Sequence, residues 1–203
     1  MDVTRVWFLP EDTPYFYWLI PESPERAVVG LIGEEGQETR QRLERFLEKR
    51  GLTPVEYQGA RIPLYTQGVP VHRRVGGGHV YLVGDAAGQV KVTTVGGIVT
   101  GLRGALGVAE AMLNGGAGGK LRALRRELDL HLLIRRVLHH FTQADYSHLL
   151  DLLSASARWP LSAYTRDEAG KLLWSPCLRQ PRFLLLGLRS LLTNGSFPDR
   201  RHT

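Results

Sequence analysis

Cysteine is nearly absent: Cys177 stands alone among 203 residues. That excludes an internal disulfide and suits a reducing compartment. Long apolar runs are missing too. Stretches such as residues 15–20 and 183–186 fall far short of the ~20 residues that a bilayer-crossing helix needs. The N-terminus has no unbroken hydrophobic stretch of the signal-peptide kind, because Asp2, Arg5, Glu11 and Asp12 interrupt it. No internal repeat is visible. These absences lead to the expectation of a cytoplasmic chain that at most touches a membrane from the side.

What the sequence does contain is enough for a folded core. With 43% hydrophobic residues, 23% charged residues and four Trp, it has the makeup of an ordered domain, or of two coupled subdomains. The net charge of +6 is unevenly distributed. Residues 1–119 carry 12 Lys/Arg against 13 Asp/Glu, whereas residues 120–203 carry 14 against 7. A basic, Leu-rich, helical C-terminal part suits an anionic membrane surface or nucleic acid, or simply a solvated arginine-rich face. No nucleic-acid motif accompanies the charge, so nucleic acid is not expected as a partner.

Periodicity divides the chain. Residues 3–9, 15–20 and 27–32 are aromatic or β-branched runs closed by Pro10, Pro21 and Gly33, which reads as an antiparallel sheet with the second and third strands paired around residues 21–26. Residues 38–50 form an amphipathic helix with Leu43, Phe46 and Leu47 on one face and Gly51 as its stop. Residues 55–65 return to extended structure. Gly76–Gly78 gives a flexible entry into a short, buried strand over 79–83. Helices are expected at 96–113 (ended by Asn114 and a Gly115–Gly119 loop), 121–141, 146–156, 167–178 and 181–192. The fold class is therefore α+β, with organisation 1–75 (sheet with one helix), 76–115 (strand, loop and helix) and 116–203 (helical).

The segment with chemistry in it is residues 80–113. A strand runs into Gly84-Asp85-Ala86-Ala87-Gly88, where small residues let the backbone approach a ligand. Asp85 offers a carboxylate able to accept hydrogen bonds from sugar-like hydroxyls, at a strand's C-terminal end. Gly96-Gly97-Ile98 then opens a helix whose first N–H groups lack intrahelical partners and face negative charge favourably. The plain alternative is an aspartate that only satisfies the amides of its own turn. Lys91 reads as a solvated lysine. His131, His139, His140 and His148 lack convergent spacing and a completing carboxylate or thiol, so no metal site is expected. Cys177 reads as a packed thiol.

The stretch L-V-G-D-A-A-G-Q-V-K, followed by G-G-I and a helix carrying Gly101, Gly104, Ala105 and Gly107, resembles the second flavin-binding motif of the geranylgeranyl reductase family. That family lies within the flavoprotein superfamily that includes para-hydroxybenzoate hydroxylase. Residues 14–21, P-Y-F-Y-W-L-I-P, resemble the family's aromatic strand motif, with Trp18 and Pro21 aligned and Val29-Gly30 fitting beyond them. The resemblance runs along most of the chain, but only these two motifs are specific. It implies FAD as cofactor, bound by Gly84, Asp85, Ala86, Gly88, Gly96, Gly97 and Ile98. Asp85 would contact the ribityl chain, the Gly88 region the pyrophosphate, and 96–98 the pyrimidine side of the ring. It also implies Phe16, Trp18 and Pro21 as substrate contacts, although ordinary sheet packing would account equally for those rings. Departures are Phe16 for Tyr, Ile20 for Phe, and Val92 and Val95 for the usual Pro and Gly.

One expected part is missing. The superfamily opens with a strand, a G-x-G-x-x-G turn and a helix that hold adenosine and pyrophosphate, and no such spacing occurs here. The chain thus reads as the C-terminal half of a flavin-dependent oxidoreductase that reduces isoprenoid carbon–carbon double bonds. Its expected partners are a prenyl lipid or other apolar substrate, a companion chain carrying G-x-G-x-x-G, and a membrane surface. No catalytic side chain is assigned. The alternatives are a flavin monooxygenase-like enzyme acting on another substrate, and a non-catalytic lipid-binding remnant or subunit.

Overall fold

The computed structural model describes residues 3–114, 118–156 and 185–189. The expected helix over 167–178, most of that over 181–192, and Cys177 lie outside the described residues. The chain is α+β, with small antiparallel sheets and longer helices, and it divides into two compact units, Met1–Pro63 and Leu64–Thr203.

In the first unit three strands, β1 (Arg5–Trp7), β2 (Tyr17–Pro21) and β3 (Ala27–Leu31), pair antiparallel in the order β1-β2-β3. The register sets Val6 beside Trp18 and Trp18 beside Gly30, and Pro21 closes the ladder opposite Ala27. The turn between β2 and β3 is fixed by the Ser23 hydroxyl, which accepts from the N–H groups of Glu25 and Arg26 at 3.3 and 3.0 Å.

Strand alternation decides which side chains are buried. Tyr15, Tyr17 and Leu19 are buried, whereas Phe16, Trp18 and Ile20 point to the other face. Helix α1 (Gly36–Glu48) supplies the cover, with Phe46 and Leu47 buried and Leu43 half-buried. The Tyr17 ring stacks on Phe46 at 4.2 Å and its hydroxyl donates to Asp12 at 2.9 Å. The Arg50 guanidinium lies 3.7 Å from the Phe46 ring centroid. Gly51, at φ 62°, ends the helix in the left-handed conformation expected of a C-terminal glycine.

The second unit opens with a hairpin, β4 (His72–Val75) and β5 (Gly78–Tyr81), turned at Gly76, whose φ is 58°. Here the sequence expectation needs correcting. Gly76–Gly78 is the turn and start of a hairpin rather than a loose entry, and β5 is exposed rather than buried, with Val80 half-open to solvent. Residues 55–65 belong to no ladder. Helices α2 (Ile98–Leu113), α3 (Gly119–Leu138) and α4 (Gln143–Ser156) follow.

Helix α2 packs on α3 because Gly107 leaves room for Leu121, and Arg103 reaches Glu127 at 2.6 Å. The core gathers Tyr65, Val92, Leu124 and Leu128, flanked by Leu64 and Leu132. Thr142 and Asp145 form a reciprocal cap at the start of α4. The Asp145 carboxylate accepts from the Thr142 N–H at 2.9 Å, and the Asp145 N–H donates back to the Thr142 hydroxyl at 3.3 Å. Burial works to push the pKa of Asp145 up, but the Thr142 bonds outweigh it and hold the carboxyl below its ordinary value. Among the described residues no helix is long and apolar enough to cross a membrane.

Candidate functional site

After β5 the chain passes through one 3-10 turn, Gly84–Ala87, entered at Gly84 (φ 63°) and left at Gly88 (φ 60°). Both values lie where only glycine is comfortable, so the glycines fix the shape of the turn. The backbone bonds that close it run from the Gly88 N–H to the Asp85 carbonyl and from the Gln89 N–H to the Gly84 carbonyl, each 2.9 Å. The Gly84 N–H donates to the Gln89 side-chain oxygen at 2.8 Å. Gln89 is 3% exposed and lies across Gly104 of α2, where a Cβ would fall 1.9 Å from its amide oxygen.

Gln89 therefore does the structural work that the sequence alone assigned, as its plain alternative, to Asp85. The Asp85 side chain is exposed and makes no hydrogen bond or ion pair with any described residue. It stands against the start of α2, with its Oδ1 3.1 Å from where a Gly97 Cβ would lie. Gly97 caps α2 with no side-chain bond, so the first N–H groups of the helix, which have no partner within it, begin beside this carboxylate.

The connection from 89 to 97 is tightly tied. The Thr100 hydroxyl is fully buried and donates to the Gln89 carbonyl, while the Lys91 N–H bonds the Gly96 carbonyl at 3.2 Å and the Val95 N–H bonds the Lys91 carbonyl at 2.8 Å. Val95 has φ 53°, an unfavourable conformation for a β-branched residue. This is one of the two positions where valine stands in place of the expected Pro and Gly. Lys91 is 3% exposed, with its Cε 3.4 Å from a Cβ position on Gly96. It is a buried lysine lying under the helix start, not the solvated one that its sequence context suggested.

Of the cofactor candidates, Asp85, Ala86 and Ile98 are exposed, and Gly84, Gly96 and Gly97 are half-buried beside them. Gly88 lies beneath, packed near the Leu64 carbonyl and Tyr65. A Cβ on Gly101 would fall 3.3 Å from the Gly84 Cα, so the glycine lets α2 pack closely on the turn. Sequence reasoning missed Gln89 and Thr100. The signal available was the run of polar residues alternating with valine over 89–93, too short to read by itself.

The substrate candidates belong to the other unit. Phe8, Phe16 and Trp18 form a ladder with centroid separations of 5.9 and 6.0 Å, and the Trp18 ring covers Gly30. Val6, Ile20 and Val28 share that face, and all three are exposed. Pro21 falls on the opposite face by strand alternation. Among the described residues no three His, Cys, Asp or Glu side chains converge as a metal site would require. His131 is buried and bonds Thr93 at 2.8 Å.

The geometry is thus an exposed carboxylate at a glycine-shaped turn, set against a helix start. An 88-residue segment of the chain is 36% identical to digeranylgeranylglycerophospholipid reductase 2 of Methanothermobacter thermautotrophicus, a stretch that is 41% of this chain and 22% of that protein. The chain thus spans about a fifth of that relative's length, and the matched stretch is shorter than the motif resemblance suggested. No protein-family model and no solved structure matches the chain.

Proposed function

We propose that this chain supplies the ribityl- and ring-binding part of a flavin-dependent oxidoreductase that reduces isoprenoid carbon–carbon double bonds. The observation that carries the reading is Asp85, whose carboxylate is exposed and makes no bond to a described residue, while Gln89 rather than Asp85 accepts from the Gly84 N–H. A carboxylate kept free at a preformed turn suits hydroxyls of a ribityl chain. The orphan N–H groups at the start of α2 suit an electron-rich pyrimidine edge. The residues fit a flavin on these grounds: Asp85, Gly97 and Ile98 would hold it, and Gly84 and Ala86 would let it approach closely. When bound, the flavin supplies hydride transfer, and the protein supplies placement and electrostatics.

An apolar, aromatic sheet face around Phe16 and Trp18 suits a prenyl chain better than a polar aromatic substrate. That favours the reductase over the monooxygenase-like alternative. A second reading, a subunit that works with a companion chain bearing G-x-G-x-x-G, draws on the outer face of α2. There Ile98, Leu102, Leu106, Met112 and Leu113 are all exposed on a helix that is also apolar on its buried side. The test is a reductase assay on a geranylgeranyl lipid with added flavin and a chemical reductant, read by mass spectrometry. Saturation of double bonds that depends on both flavin and protein is expected. Oxygen insertion into a substrate without saturation would favour the monooxygenase reading instead.

A further inference from the structure

A cavity of about 260 Å³ lies within the second unit, apart from Asp85. Its buried lining is mostly apolar: Tyr65, Ala87, Leu124 and Leu128 line it and are all buried, with the amide of Gln89 as the one buried polar side chain among them. Val69, Pro70, Val71 and Leu121 add apolar wall. The volume sits just under the ~300–1,000 Å³ of clefts for drug-sized ligands, so a short chain or small ring would fill it.

The mouth has the opposite character. Arg122 and Arg125 both line it and are both exposed, and His72 stands beside them. On α3 the spacing explains the combination, since Leu121, Leu124, Arg125 and Leu128 recur at helical intervals and share one face. Neither arginine has a described carboxylate within 4.0 Å. Of the nearby acids, Glu127 pairs with Arg103 through one oxygen, and Asp129 Oδ1 accepts from the Tyr65 hydroxyl at 2.8 Å and from Gln67 at 2.9 Å.

We propose that this cavity binds an organic oxyanion with a short apolar body, its tail on Leu124 and Leu128 and its head group between Arg122 and Arg125. Apolar contact alone would not select a charge, and two guanidiniums alone would bind free phosphate equally well. The combination recognises a carboxylate or phosphate attached to hydrocarbon. The assignment does not rest on the flavin reading, because none of Asp85, Gly97 and Ile98 lines the cavity.

Calorimetric titration of the full chain with octanoate, octyl phosphate, octanol, inorganic phosphate and ADP tests it. Octanoate, octyl phosphate or both should bind, and the stronger of the two identifies the head group. Octanol, inorganic phosphate and ADP should bind at least roughly tenfold more weakly, as should the preferred ligand on the R122Q/R125Q variant. The neighbouring exposed Arg126→Gln should leave the affinity unchanged, and added salt should weaken it. Because the substituted arginines are exposed, an unchanged melting curve separates a lost site from a lost fold. Equal binding of octanol, phosphate or ADP, equal binding by the double variant, or no binding of either amphiphile overturns the proposal.

Discussion

Three side chains set the character of the 84–97 loop. Gln89 holds the turn from inside, Thr100 ties its backbone to α2, and Asp85 is thereby left without a structural task. Gln89→Ala removes the buried acceptor of the Gly84 N–H and is expected to destabilise the chain by about 1–3 kcal/mol. Asp85→Asn, at an exposed position with no partner, should stay within about 0.5 kcal/mol of the parent. Urea unfolding compares the two, and a larger loss for Asp85→Asn would return that residue to a structural role.

Tyr65 offers a pH test at the same scale. Burial, aided by its bond to Asp129, pushes its pKa up to about 12 from the ordinary 10.0. The folded state thus holds the phenolic proton more tightly than the unfolded one. That contribution to stability is complete below pH 10 and lost as pH rises to about 12. Tyr17 is raised further by its own burial and its bond to Asp12, so it extends the alkaline loss in the first unit. Denaturation curves of Tyr65→Phe should be flatter with pH across that window than those of the parent, while the share due to Tyr17 remains.

Among the elements, those that bury a face were the ones legible in the sequence. The Leu43, Phe46 and Leu47 pattern marked α1, the closing prolines and aromatic alternation marked β2 and its partner, and Asn114 marked the end of α2. Strand β4 left no such trace. His72-Arg73-Arg74-Val75 is polar and exposed throughout, so it has no period-2 burial to read, and it exists because Gly76 turns it onto β5. The Gly84-Asp85 turn was legible as a turn because glycine and aspartate carry local meaning. The roles of Gln89 and Lys91 were not, since each is set by contacts with α2 or with the helix start across the loop.

Helix α2 shows how packing can override propensity. An alanine at position 104 would ordinarily stabilise a helix by roughly 1 kcal/mol. Here its Cβ would fall 1.9 Å from the Gln89 amide oxygen and push that side chain off Gly84. Gly104→Ala should therefore lower stability by about 1–3 kcal/mol, as overpacking of a filled site does. A raised melting temperature in that variant would show that Gln89 does not brace the turn.

At the scale of the whole molecule, the α+β class was legible because aromatic, proline-closed runs precede leucine-rich helical ones. On the proposed reading the chain supplies the ribityl-and-ring half of a flavin site, and its sequence contains no G-x-G-x-x-G turn for adenosine. The adenosine end of FAD should then add nothing to binding by this chain alone. Titration of the chain with riboflavin, FMN and FAD, followed by flavin fluorescence, measures this directly. The three are expected to bind with affinities within a few-fold of one another, and Asp85→Asn should weaken all three about tenfold or more, as loss of charge-assisted hydrogen bonds does. No binding of any flavin, or equal binding by Asp85→Asn, would contradict the account.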